Sequence, residues 1–153
     1  MPDAEMRRRL TEVIGILAPS NDRERRDKML TWDQVREMKV HGIDFGGHTV
    51  THPFLSRVTP EQAVWEVSAC KQQIEAELQS PVEYFAYPSG REEDFCPWSA
   101  QVLREAGYQV AVTTIWGVNY CSTNPMQFYR GQPWEEDAAI FAYKLDWYEL
   151  ASI

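Results

Sequence analysis

His48 and His52 account for two of the three histidines in the chain and stand four positions apart, in the run Phe45-Gly46-Gly47-His48-Thr49-Val50-Thr51-His52-Pro53. On a helical turn that spacing projects both imidazoles to one side, where they could share a metal ion at about 2.0 to 2.1 Å. The run lacks a Glu after its first histidine, so it is not the helix of a zinc protease. Its setting counts for more than its spacing: two glycines let a loop turn tightly, and Pro53 stiffens the exit from the second histidine. Cys70, Cys96 and Cys121 are far apart and odd in number, which fits neither a metal knuckle nor a paired disulfide framework. Without a neighbouring histidine, Cys70 and Cys121 are poor candidates for thiol catalysis, and reduced thiols are expected.

Positioning the histidines requires elements on either side. Met6, Leu10, Val13, Ile14 and Leu17 recur at helical spacing and predict an amphipathic helix over residues 3 to 18, with Arg7, Arg8 and Arg9 on a solvated face. Residues 19 to 29 are almost all polar and should form an exposed connection. Thr31-Trp32-Asp33-Gln34 fits a capping box and starts a second helix that stops before Gly42. Ile43 to Gly47 alternates apolar and polar, as a short strand does. Thr59-Pro60-Glu61-Gln62 begins a third helix, with Val64, Val67, Cys70, Ile74 and Leu78 as its buried stripe. Val82 to Tyr87 is a strand, Pro88-Ser89-Gly90 a turn, Ser99 to Ala106 a helix capped by Gly107, and Tyr108 to Thr113 another strand. Strands alternating with helices imply a mostly parallel sheet or barrel, whose ligands bind in loops at the carboxyl ends of strands. His48 to His52, Tyr87 to Gly90 and Thr113-Thr114 would all sit there.

These motifs, in this order, resemble the polysaccharide deacetylases, also called the NodB-like family. The resemblance rests on Trp32-Asp33-Gln34-Val35, the histidine run, Phe85-Ala86-Tyr87-Pro88-Ser89-Gly90 and Ala106 to Thr114, and it extends through Asn124-Pro125 and Tyr129-Arg130. It implies an α/β fold, a partial or distorted (β/α) barrel over residues 31 to 153, preceded by the helix and polar loop of residues 1 to 30. It also implies hydrolysis of N-acetyl groups on a carbohydrate by a divalent metal, zinc by expectation, although imidazoles with a carboxylate also suit cobalt, nickel or iron. His48 and His52 match the family's metal histidines. Ser89 matches the position whose backbone N–H steadies the developing oxyanion, and Tyr87, Pro88 and Gly90 match the substrate-facing turn around it.

The chain departs from the family pattern in three places. Relatives open with a strand ending in Asp-Asp, which supplies a general base and a metal ligand. Asp3, Asp22 and Asp27 lie in a helix start or polar loop and do not match it. No histidine follows His52 to act as general acid, and Ala86 stands where an arginine often orients the base. A site of two histidines is one ligand short of the usual three, so turnover by this chain alone is not expected. Asp44 should point to solvent or a neighbour, whereas Glu93 and Asp94, after Gly90, are better placed topologically. A missing opening strand would leave an exposed edge and favour a homo-oligomer or completion by another segment.

Composition narrows the partners. The formal charge of −8, from 23 acidic against 15 basic residues, argues against nucleic acid and anionic membranes. No apolar run approaches a membrane span and no secretory signal opens the sequence, so a cytoplasmic location is expected, although relatives often act at the cell envelope. The alternative function is a non-catalytic carbohydrate-binding or interaction protein on the same scaffold, with Trp98, Trp116, Trp134 and Trp147 stacking on sugar faces.

Overall fold

The computed structural model of the chain describes residues 3–17, 29–131 and 137–150. Trp134 and most of the polar connection expected at residues 19 to 29 lie outside them. Helix α1, Asp3–Leu17, forms where the sequence places it, and Arg8 and Arg9 pair along its surface with Glu5 and Glu12. Helix α2, Trp32–Val40, has the full capping box: Gln34 N–H donates to Thr31 Oγ1, and the Gln34 side chain accepts from Thr31 N–H. Helix α3, Pro60–Leu78, starts on the Thr59 hydroxyl and ends at Gln79, which adopts the left-handed conformation at φ 51°.

Of the stripe expected on α3, Val67 and Cys70 are buried, Ile74 packs against the core and Leu78 is half-buried, and only Val64 departs from it. Ala63, Glu66, Val67 and Cys70 are buried, while Val64 is 45% exposed. Glu66 joins the buried face because its carboxylate has partners in the histidine loop, and a hydrophobic stripe cannot register that.

Two short strands, β1 (Tyr84–Ala86) and β2 (Val110–Val112), pair in parallel with Phe85 opposite Ala111. Helix α4, Ser99–Glu105, makes the crossover between them, and Gly107 at φ 86° turns the chain from α4 toward β2. Parallel bridges Gly47↔Phe85 and Val112↔Phe128 extend the pair on both sides. The result is an open parallel arc in chain order, passing Gly47, β1, β2 and Phe128. The strand expected at Ile43 to Gly47 is reduced to this bridge, with Gly47 N–H on Tyr84 O at 2.8 Å and Ala86 N–H on Gly47 O at 2.9 Å. A segment with one neighbour at one residue has too few ladder bonds to stay extended along its length.

Helices α3 and α4 cover the arc through a core of Leu55, Val67, Phe85, Tyr87, Leu103, Tyr108 and Met126, among others. The three cysteines are free, as expected. Helix α5, Ala138–Leu150, carries exposed Ile140, Tyr143, Leu145 and Trp147. No described helix is long and apolar enough to cross a membrane.

Burial pushes the Tyr87 and Tyr108 phenols and the Cys70 thiol above their ordinary values of 10.0 and 9.0. The folded state therefore keeps protons that the unfolded chain releases. The stability that these groups contribute is complete below pH about 9 and is lost as pH climbs through the unfolded values toward the folded ones. Urea midpoints measured between pH 7 and 11 should hold steady at first and then fall steeply above about pH 9. A flat profile to pH 11 would contradict this burial.

Candidate functional site

Three loops meet at the carboxyl ends of the arc, as the strand–helix alternation requires. The histidine loop follows the Gly47 bridge. Its residues are not helical: Thr49 and His52 adopt left-handed backbone at φ 65° and 58°. The pair sits in a loop, as the two glycines before it led one to expect, and this doubly reversed loop brings the two imidazoles side by side, with ring centroids 4.8 Å apart at 73°. Both rings are exposed.

His48 is oriented by β1. Its Nδ1 lies 2.7 Å from Ala86 O. A carbonyl only accepts, so Nδ1 carries a proton and Nε2 is the nitrogen left for a ligand, the arrangement that orients metal-ligating histidines. Ala86 thus serves the site through its backbone at a position where its side chain could not.

The loop is held from beneath by Glu66, which is fully buried on α3. One carboxylate oxygen accepts from Val50 N–H and Thr51 N–H, each at 2.8 Å, and the other accepts from the Thr51 hydroxyl. The Thr49 hydroxyl accepts from His52 N–H at 3.1 Å. Hydrogen bonds to an ionised acceptor are stronger than neutral ones, so a single carboxylate fixes the segment between the histidines. Arg7 of α1 approaches from the other side, with Nη2 at 2.8 Å from Thr51 O and 2.9 Å from Thr51 Oγ1. Arg7 stays on the solvated face expected for it and in addition ties α1 to the histidine loop. Neither Glu66 nor Arg7 stood out in the sequence, although a Glu flanked by Ala63, Val67 and Cys70 at helical spacing carried a signal of burial.

The second loop follows β1. Ser89 is exposed and left-handed at φ 58°, and Gly90 N–H donates back to Pro88 O at 2.7 Å. Among the described residues no backbone carbonyl accepts from Ser89 N–H. Gly90, at φ 73°, permits the third loop's approach: a Cβ there would lie 2.9 Å from Thr114 N. Thr114 N–H donates to Gly90 O and its hydroxyl to Ser89 O at 2.6 Å, so the two loops are tied. Tyr87 and Pro88 are buried, and the Tyr87 hydroxyl donates to Met126 O at 2.9 Å. Their side chains support the turn from inside, which corrects the expectation that they face a substrate.

Other sequence candidates fall elsewhere. Asp44 is exposed and accepts from Lys39 Nζ at 2.5 Å. Asp94 is buried and accepts from Arg91 N–H at 3.0 Å, which caps its own short turn. Trp98 packs against the core, whereas Trp116 and Trp147 are half exposed with rings 5.7 Å apart. Among the described residues no three His, Cys, Asp or Glu side chains form a group that could hold a metal. The imidazole pair would suit a metal such as zinc, for which the described residues offer two of the usual three protein ligands.

A parallel α/β arc with an oriented imidazole pair beside the Ser89 turn defines the general class as an α/β domain with a candidate site in its strand-end loops. Residues 13–111 match the polysaccharide deacetylase family, so the chain belongs to that family. It is 33% identical over 85 residues to YxkH of Bacillus subtilis strain 168, a protein named for polysaccharide deacetylases, covering 56% of this chain and 29% of YxkH. It resembles the Streptococcus pyogenes deacetylase PplD, solved in complex with acetate, at 31% identity and TM-score 0.62, over 66% of this chain and 43% of PplD. IcaB from Ammonifex degensii shares the fold at 22% identity and TM-score 0.61, over 79% of this chain and 54% of that one. The match thus spans less than half the length of YxkH and of PplD.

Proposed function

We propose that this chain forms the histidine-bearing part of a metal-dependent N-deacetylase that hydrolyses acetamide groups on a carbohydrate, built on an arc of a (β/α) barrel. The observation that carries this reading is the His48–His52 pair, with His48 oriented through Nδ1 on Ala86 O and the Ser89 turn at the adjacent strand end. His48 and His52 are the two ligands for a divalent metal, zinc by preference, and a third ligand comes from outside the described residues. When bound, such a metal polarises the amide carbonyl and lowers the pKa of its water toward about 7. Ser89 N–H then donates to the oxygen that gains charge during attack. Glu66 keeps the two histidines in register, and Gly90 keeps the Ser89 turn close to Thr114.

Calorimetric titration with zinc should give one-to-one binding that weakens by at least about tenfold when His48 or His52 is replaced by Ala, since even outer-shell changes cost that much. Binding identical in wild type and the His48→Ala/His52→Ala variant would remove the metal reading. It would leave the second reading, a non-catalytic carbohydrate binder, for which the half-exposed Trp116 and Trp147 offer an aromatic surface.

A further inference from the structure

Beside the Ser89 turn lies a cavity of about 580 Å³, lined by Phe54, Arg57, Ser89, Arg91 and Thr114 together with the carboxylates Glu93 and Asp94. That volume suits a small-molecule ligand. Its two arms are the turns Leu55–Arg57 and Glu92–Asp94, and the Ser56 hydroxyl ties them by donating to Glu93 O at 2.7 Å. Phe54 follows His52 by two residues, so the same chain segment runs from the imidazole pair to the cavity wall.

The charges lining this cavity are unequally committed. Asp94 is buried and spent on Arg91 N–H. Glu93 faces the Arg91 guanidinium at 3.9 Å, both side chains being well exposed, which makes a weak pair. Arg57 takes part in none of the ion pairs of the described residues. Its guanidinium carbon sits 4.4 Å over the Phe54 ring, which holds the plane in place and leaves the N–H donors around its rim available. In a chain with a net charge of −8, a stacked arginine facing a cavity next to the turn is a local exception.

We infer that Arg57, supported by Arg91, binds an acidic substituent, carboxylate or phosphate, carried by the saccharide whose acetamide reaches the Ser89 turn. A planar guanidinium recognises either anion through paired N–H donors. The inference rests on the deacetylase reading and adds to it a preference for acidic over neutral N-acetylated sugars.

The test is an NMR titration of the whole chain at low ionic strength with three probes: N-acetylglucosamine, its 6-phosphate, and N-acetylmuramic acid, which adds a carboxylate. At least one acidic probe should bind about tenfold more tightly than the neutral sugar, and the stronger of the two identifies the acid. In Arg57→Gln/Arg91→Gln, whose fold is checked by thermal melting, the ratio should fall near one. Neutral and acidic sugars binding equally to wild type would overturn the inference and leave the saccharide reading standing. An acidic preference that survives in the double variant would also overturn it, by placing the anion elsewhere. Failure of all three sugars to bind would end both.

Discussion

Replacing Glu66 by Ala should lower unfolding stability by about 3 to 5 kcal/mol, among the largest effects any single substitution in this domain can have. The carboxylate is fully buried and accepts from two backbone N–H groups and one hydroxyl. Alanine leaves all three donors facing a void in a protein interior, where each unsatisfied group costs about 1 to 3 kcal/mol, partly relieved by any water that enters. At this chain length the loss corresponds to a melting point lower by roughly 10 to 15 °C. Glu66→Gln should fall between, because its amide oxygen can accept from both backbone N–H groups and its NH₂ can donate to the Thr51 hydroxyl, while the charge that strengthens those bonds is lost. Gln73→Ala, at an exposed position of the same helix, should change the melting point little. The functional consequence should appear together with the structural one: a slack loop separates His48 from His52, and zinc affinity should fall by about tenfold or more. A loss under about 1 kcal/mol for Glu66→Ala, with zinc binding intact, would show that the loop holds its shape without the carboxylate.

The second large effect belongs to Gly47. Its backbone makes the bridge to Phe85, and a Cβ at this position would lie 2.1 Å from the Tyr108 hydroxyl oxygen, 2.8 Å from Tyr108 Cζ and 3.1 Å from a Phe85 ring carbon. Tyr108 is itself buried, so its ring has little room to retreat. Gly47→Ala should therefore cost about 2 to 3 kcal/mol through overpacking. Much of the conflict is with the hydroxyl, whose contact with Val67 O is long at 3.4 Å and contributes little. Tyr108→Phe alone should be mild, and the double variant Gly47→Ala/Tyr108→Phe should recover about 1 kcal/mol relative to the sum of the singles. Strict additivity in urea denaturation would place the cost of Gly47→Ala in the backbone bridge and not in the ring contact.

The amino-acid sequence alone determined the local starts and turns of the elements that carry the site. The starts of α2 and α3 were legible because a capping hydroxyl and its partner lie three residues apart, and such bonds need no other part of the chain. The turn at Gly107 was legible for the same reason, as was the parallel order, since alternating strands and helices permit few other arrangements. The identity of His48 and His52 as the candidate ligands came from local motif and order.

Only the tertiary structure decided how those ligands are held. Glu66 lies 14 positions after His52, and its partners are backbone donors that carry no residue signature. Ala86 orients His48 through a carbonyl that every residue possesses. Arg7 reaches Thr51 across 44 positions. Tyr87 and Pro88, read locally as part of a binding turn, turn inward because the packing around Met126 and Phe95 claims the Tyr87 ring. Sequence patterns record spacing along one segment, whereas burial and backbone hydrogen bonding depend on which segments meet. In this protein the candidate ligands were therefore visible in the chain, and the groups that set their geometry were not.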